Sequence, residues 1–418
     1  MKKKLLAMLL SLSMVFALAA CGSGGDEPSS GSDSPDGGGA ASGDTLTIGM
    51  IGPLTGSYAT YGTAMEEGLE LAVEEINAAG GICGMTVETQ VMDDQGDPTE
   101  ALNAFNTLVS NGVGIIVGSA TSGCTSAITN AANEEGVVLI TPSATADNIT
   151  TEDDYVFRAC FKDSLQGDIA AAFVAEEGIT KVGTIMCSAD TYSKGLVDSF
   201  TAACEKRGIE VVAAESTATM NAQDFTNQFT AMVNAGAELV YAIYYYDAVG
   251  PFLISQARAA GFDGIIMGAD GFDGSLGYVS EGTDYSAFNN VVWTNHYDPS
   301  DESGAVQEFV AAFEAKYNST PISFSALTYD CVSMIKQAAE AAGSTDASAV
   351  RDQLADTSVV YECVTGTFSL DETGTPTKGG VIIEFYYDDT IEDDPSTDAI
   401  ECLGQKLLTT ISAEDLAA

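Results

Sequence analysis

The chain has little with which to hold a negatively charged partner or to shuttle protons. Its 418 residues carry 15 lysines and arginines against 61 aspartates and glutamates, for a net charge of −46, and a single histidine. So acidic a body is repelled by phosphate backbones and anionic lipid, which argues against nucleic acid as a partner. Histidine is the usual acid–base group near neutral pH; the one copy, His296, reads as a structural polar residue and gives an enzyme little support. No GxSxG, HExxH, GxxxxGK[ST] or GxGxxG segment occurs, so the signatures of serine hydrolases, zinc proteases and nucleotide binders are missing. No two cysteines have CxxC spacing, and neither a metal nor a cofactor is expected. Beyond the N-terminal segment, no apolar run is long enough to span a bilayer.

What is present starts with an address. Lys2, Lys3 and Lys4 precede an apolar run from Leu5 to Leu18, broken only by Ser11 and Ser13, and the stretch ends in Leu18-Ala19-Ala20-Cys21. The run is too short for a membrane span and reads as a secretory signal peptide over 1–20. Its end resembles the lipobox of bacterial lipoproteins. That resemblance implies that Cys21 receives a diacylglycerol and becomes the new N-terminus, anchoring an extracytoplasmic protein to the cell membrane. Residues 21–44 contain no leucine, isoleucine, valine or aromatic side chain and read as a flexible linker. Losing the three lysines takes the net charge to −49. Eight cysteines remain beyond Cys21; outside the cytoplasm an even number permits disulfides, with about 105 connectivities.

The body from Thr45 onward is too long for one compact core and suggests two lobes. It alternates short apolar runs with helical periodicity. Leu46–Ile51 reads as a buried strand; Met65, Leu69, Ala72, Val73 and Ile76 follow at helical spacing with glutamates on the opposite face. Similar pairs continue to Ile140, and a second series runs from about 163 to 267. Two strand–helix series predict an α/β protein with two doubly wound parallel-sheet lobes. After 290 come a strand, helices over 303–316 and 325–342, and a closing β region over 365–387.

In open parallel sheets ligands lie beyond the carboxyl ends of the strands. There the first series offers Gly118-Ser119-Ala120-Thr121-Ser122-Gly123 and Pro142-Ser143-Ala144-Thr145. These are hydroxyl-rich turns, and the first leads into a helix whose free N–H groups suit a carboxylate. Plain N-capping by Ser122 or Thr125 is the alternative for that segment. The second series offers Asp190-Thr191-Tyr192, Tyr244-Tyr245-Tyr246-Asp247 and Gly268-Ala269-Asp270-Gly271. A zwitterion between the two would set its carboxylate on the hydroxyls and its ammonium against Asp270.

TIGMIGPLTGSYATYG, EINAAGGICG, the acidic turn from Asp93 to Pro98, VGSATSG, LITPSAT and QARAAG together resemble the leucine/isoleucine/valine-binding group of periplasmic binding proteins, from 45 to about 390. The resemblance implies a type I binding-protein fold, its two lobes joined by three crossovers. Lobe 1 would comprise 45–162 plus about 296–379, and lobe 2 163–295 plus about 380–418. It also implies an ABC permease in the membrane as partner and a small amino-acid-like ligand. Carried over by position, Ser122, Ser143 and Thr145 meet the ligand's carboxylate and amino group, and Tyr61 stands at the pocket rim. Tyr192 is the aromatic contact of the opposite lobe, and Asp270 stands for an acidic residue that binds the ammonium. One extra residue between Tyr244 and Gln256 leaves the next tyrosine ambiguous, with Tyr245 favoured over Tyr246. Gly96 and Thr121 occupy the positions of a disulfide in enteric members, and Asp270 is one methylene shorter than glutamate, so a more cationic ligand or an amide stays open. A sensory lipoprotein, or a surface enzyme on the same fold, are the other classes that the sequence leaves standing.

Overall fold

The computed structural model describes residues 45–152, 154–280, 282–391 and 400–412. The expected signal peptide, Cys21 and linker lie outside them. The first half runs β1 (Thr45–Gly52), α1 (Ala59–Ala78), β2 (Thr86–Asp93), α2 (Pro98–Ser110), β3 (Ile115–Gly118), α3 (Ser122–Glu135), β4 (Val138–Thr141) and β5 (Val156–Arg158). There follow α4 (Asp163–Glu176), β6 (Lys181–Cys187), α5 (Thr191–Arg207), β7 (Glu210–Thr217), α6 (Thr226–Ala235) and β8 (Leu239–Ile243). Next come α7 (Tyr246–Ala248), α8 (Ile254–Ala259), β9 (Ile265–Gly268), β10 (Val291–Asn295), α9 (Gly304–Tyr317), α10 (Ser323–Ala342) and α11 (Ala347–Leu354). A hairpin of β11 (Tyr361–Cys363) and β12 (Gly366–Phe368) precedes β13 (Gly380–Tyr387) and β14 (Leu403–Ile411).

Five strands form one sheet in the order β2-β1-β3-β4-β5, all parallel. Seven form a second, β14-β13-β10-β9-β8-β6-β7, in which β13 runs antiparallel to both its neighbours, β10 and β14, and the other strands share one direction. β3, β4 and β8 are buried along their whole length, as expected where helices cover both faces of a sheet and alternation gives way to continuous apolar runs. The chain passes between the halves three times: after β5, after β10 and before β13. Glycine lets the helices on each half approach closely. A Cβ on Gly68 of α1 would lie 2.2 Å from the Ser325 carbonyl oxygen of α10, and one on Gly167 of α4 would lie 2.6 Å from the Phe200 nitrogen of α5.

The structure departs from the sequence reading in four places. α3 begins at Ser122, and its cap is neither Ser122 nor Thr125: the Thr121 hydroxyl accepts from the Cys124 N–H. A π-helical turn at Val249–Leu253 lies between α7 and α8, within the stretch from Tyr244 to Gln256 that reads as one residue longer. The closing region is a hairpin and two long strands, and α11 and β14 were not anticipated. Cys83, Cys124, Cys160, Cys187, Cys204, Cys331 and Cys363 carry free thiols. Burial pushes Cys124, Cys160 and Cys204 up to about 12, so they pack as small apolar groups.

Candidate functional site

The carboxyl ends of both sheets converge on one narrow cleft, lined by Tyr61, Ser122, Ser143, Tyr192, Tyr245 and Asp270, together with Ala120, Thr121, Gly271 and Phe324. Six of the seven expected ligand contacts are therefore together. The seventh, Thr145, is not on the lining: it is fully buried, its hydroxyl is without a partner, and its carbonyl faces Arg158 and the Asp163 N–H.

On one wall the hydroxyl turns are fixed by their own polar groups. Ser143 donates to the Ala120 carbonyl at 2.9 Å, and Ser122 accepts from the Ala146 N–H at 3.2 Å. Arg158 lies wholly buried beneath the second turn. Its guanidinium donates to the carbonyls of Ala144, Thr145 and Ala146 and to the Thr150 hydroxyl. Those carbonyls are thus turned away from the cleft. The neighbouring loops are held by carboxylates. Buried Asp94 accepts from the Ser119 hydroxyl and the Gly96 N–H, and Asp93 accepts from the N–H groups of Leu54, Thr55 and Gln95. The N-terminus of α3 opens on this wall, with the partial positive charge that favours an anion.

The opposite wall is acidic and aromatic. Asp270, 2% exposed, accepts on Oδ1 from the Tyr192 hydroxyl and from Gln166 Nε2, each at 2.9 Å. Tyr192 also accepts from the Gly271 N–H. Tyr245 stacks on Tyr192, with ring centroids 5.3 Å apart, and Tyr61 stacks on Phe324 at 3.9 Å. Burial, and at Tyr192 also the charge of Asp270, pushes the Tyr61, Tyr192 and Tyr245 phenols well up, so all three stay hydrogen-bond donors. Tyr246 leaves the cleft: its hydroxyl donates to the Ser57 carbonyl and accepts from the Thr60 N–H, while Tyr244 pairs with Thr217. An oxyanion site facing a lone carboxylate, floored by rings, is an arrangement for holding a small zwitterion.

The sequence matches the model of a family described as periplasmic binding proteins over residues 45–386. The chain belongs to the periplasmic binding protein family. A Brucella melitensis protein named Leu/Ile/Val-binding protein homolog 3 is 34% identical, over 79% of this chain and 88% of its own. The leucine-, isoleucine-, valine-, threonine- and alanine-binding protein of Pseudomonas aeruginosa is 33% identical, over 79% and 87%. Among solved structures, the branched-chain amino acid transporter substrate-binding protein LivJ of Streptococcus pneumoniae, in complex with isoleucine, superposes with a TM-score of 0.75. It is 35% identical and covers 82% of this chain and 96% of its own. In this periplasmic binding protein, four residues at or behind the cleft escape sequence reasoning: Arg158, Gln166, His296 and Phe324. None follows a strand in the first two series closely enough for the strand-end rule to find it.

Proposed function

We propose that this protein is the solute-binding receptor of an ABC importer, that it holds a branched-chain aliphatic amino acid in the cleft, and that Cys21 anchors it outside the cytoplasm. The observation that carries the reading is the pairing, across one cleft, of Ser122, Ser143 and the α3 N-terminus with Asp270. The opposed walls match the two charges of an α-amino acid. The names of the relatives and the isoleucine complex of the S. pneumoniae protein support the same class. Lipobox-like Leu18-Ala19-Ala20-Cys21 supports the anchor, and the family's transport role supports binding without turnover.

Titration calorimetry with L-isoleucine, L-leucine and L-valine tests this. At least one should bind, and the corresponding α-keto acid, which lacks the ammonium, should not. Asp270→Asn should weaken binding roughly 30-fold or more, because truncating one side of a desolvated charge pair typically costs about 2–5 kcal/mol. Equal affinity for amino acid and keto acid, or an unaffected Asp270→Asn, would remove the ammonium assignment.

A further inference from the structure

The only histidine in the chain lies beside the carboxylate that faces the ligand. His296 follows β10 and packs its ring on Phe161, centroids 3.9 Å apart. Its side chain is completely shielded from solvent, and neither ring nitrogen has a hydrogen-bond partner. Nε2 stands 3.7 Å from Asp270 Oδ2. That is too long for a hydrogen bond, yet close enough for a strong charge–charge attraction if the ring gains a proton. Asp270 Oδ1 already accepts from Tyr192 and Gln166, which leaves Oδ2 as the oxygen on which a further cation would draw.

We propose that a proton on His296 and the ammonium of a bound amino acid compete for Asp270, so that ligand affinity falls as the imidazole becomes charged. The inference rests on the amino-acid reading of the cleft. Burial holds His296 below its ordinary value of 6.5; Asp270 pulls it up and Lys378, ahead of β13, pushes it down. Asp298 and Asp301 share the cavity on its far side with Lys378, and the nearby Cys160, pushed up to about 12, stays a neutral thiol. The imidazole is therefore neutral at pH 7 and Asp270 is free for the ligand. With an ammonium on Asp270, the attraction that favours the imidazolium is largely cancelled, and His296 titrates lower still. Linkage then fixes the sign. The free protein binds the proton more tightly than the complex, so acidification below about 6.5 weakens ligand binding, by at most about tenfold per pH unit for one proton.

Because there is one histidine, its imidazole C–H resonance can be followed by NMR without assignment in protein purified without a histidine tag. Asp270→Asn should lower the titration midpoint by about one unit or more, the size expected for losing an opposite charge within 4–6 Å. Saturating L-isoleucine on the wild type should lower it in the same direction. His296→Gln should flatten the fall in isoleucine affinity on acidification below pH 6.5, measured by calorimetry. A midpoint that Asp270→Asn leaves unmoved overturns the inference, as does an imidazole that stays neutral down to acid unfolding. If isoleucine is bound by calorimetry but leaves the midpoint unmoved, the competition is likewise overturned. If Asp270→Asn moves the midpoint and no amino acid binds at any pH, the coupling of His296 to Asp270 stands and it is the amino-acid reading of the cleft that fails.

Discussion

Single residues in this cleft are governed mainly by how far burial outweighs hydrogen bonding. Asp247, next to Tyr246, has one buried carboxylate oxygen without a partner, and burial raises its pKa from 3.8 to about 6. A folded value above the unfolded one means that the folded state holds the proton more tightly. The stability so gained is present below about pH 4 and is lost as pH rises through about 6. At neutral pH the ionised group is a liability. Asp247→Asn should therefore raise thermal stability at pH 7.5 by about 1–2 kcal/mol, allowing for partial solvent exposure, and give no gain at pH 4. Melting curves at the two pH values check it, and an equal change at both would remove burial as the cause. Asp270 was legible in the sequence because a carboxylate at the end of a strand has a defined place in an open sheet. Its partner Gln166, 104 residues earlier, was not, because nothing local marks a helical glutamine as facing a distant turn. Thr145 was read as a cleft residue from its hydroxyl company; the structure places it off the cleft lining, with the buried guanidinium bonded to its carbonyl.

At the scale of elements, hydrophobic period and strand-end chemistry were enough to find most strands and helices through 268, and their parallel order followed from the alternation. What escaped was short or without period. β5 has three residues, too few to carry a pattern, yet it delivers Arg158 to the β4–β5 turn. The π turn at Val249–Leu253 lies where the sequence showed only a surplus residue. β14 pairs antiparallel along β13, and strands added at the end of a chain give no sign in sequence of which sheet they join. Arg158 gives this scale its prediction. Arg158→Met keeps much of the volume but removes four hydrogen bonds, three of them to carbonyls that keep only one other donor each, from Cys160, the Asp163 N–H and the Ile149 N–H. A hydrogen bond to a charged group has a net worth of about 1.5–3 kcal/mol, so the variant should lose at least about 3 kcal/mol in urea unfolding. Any folded fraction should also bind the ligand more weakly, because the Ser143 turn loses its support. A variant as stable as the wild type would mean that the turn is held by other contacts. Arg158→Lys should rescue only partly, since one ammonium cannot replace a planar fork of donors.

For the whole molecule, two predictions concern how the body is tethered and how it moves. If Cys21 is the acyl acceptor, Cys21→Ser should leave the folded body intact but shift it out of the detergent phase in a partition assay; a variant that still partitions like the processed wild type would end the anchor proposal. The two halves touch across the cleft through a few polar pins. Tyr61 donates to the Gly271 carbonyl at 2.7 Å, Tyr246 bonds Ser57 and Thr60, Tyr278 pairs with Thr60 at 2.6 Å, and Asp273 accepts from the Ser323 N–H. Most are hydroxyl-to-backbone bonds that water can replace when the halves part, each with a net worth of about 0.5–1.5 kcal/mol. With only three passages of chain joining the halves, so small a set makes closure reversible, and ligand contacts on both walls can tip the balance toward the closed form. Tyr246→Phe removes two of the pins and nothing from the cleft lining, so it should act on closure alone. Its expected effect is about a 3- to 10-fold loss of affinity, expressed in faster release more than in slower capture. Small-angle scattering with saturating isoleucine should still reach the compact radius of the wild type. Stopped-flow release rates and scattering together check this: an unchanged release rate would mean that the Tyr246 bonds do not hold the halves, and a liganded radius as large as the free one would rule out closure as the way this receptor retains its ligand.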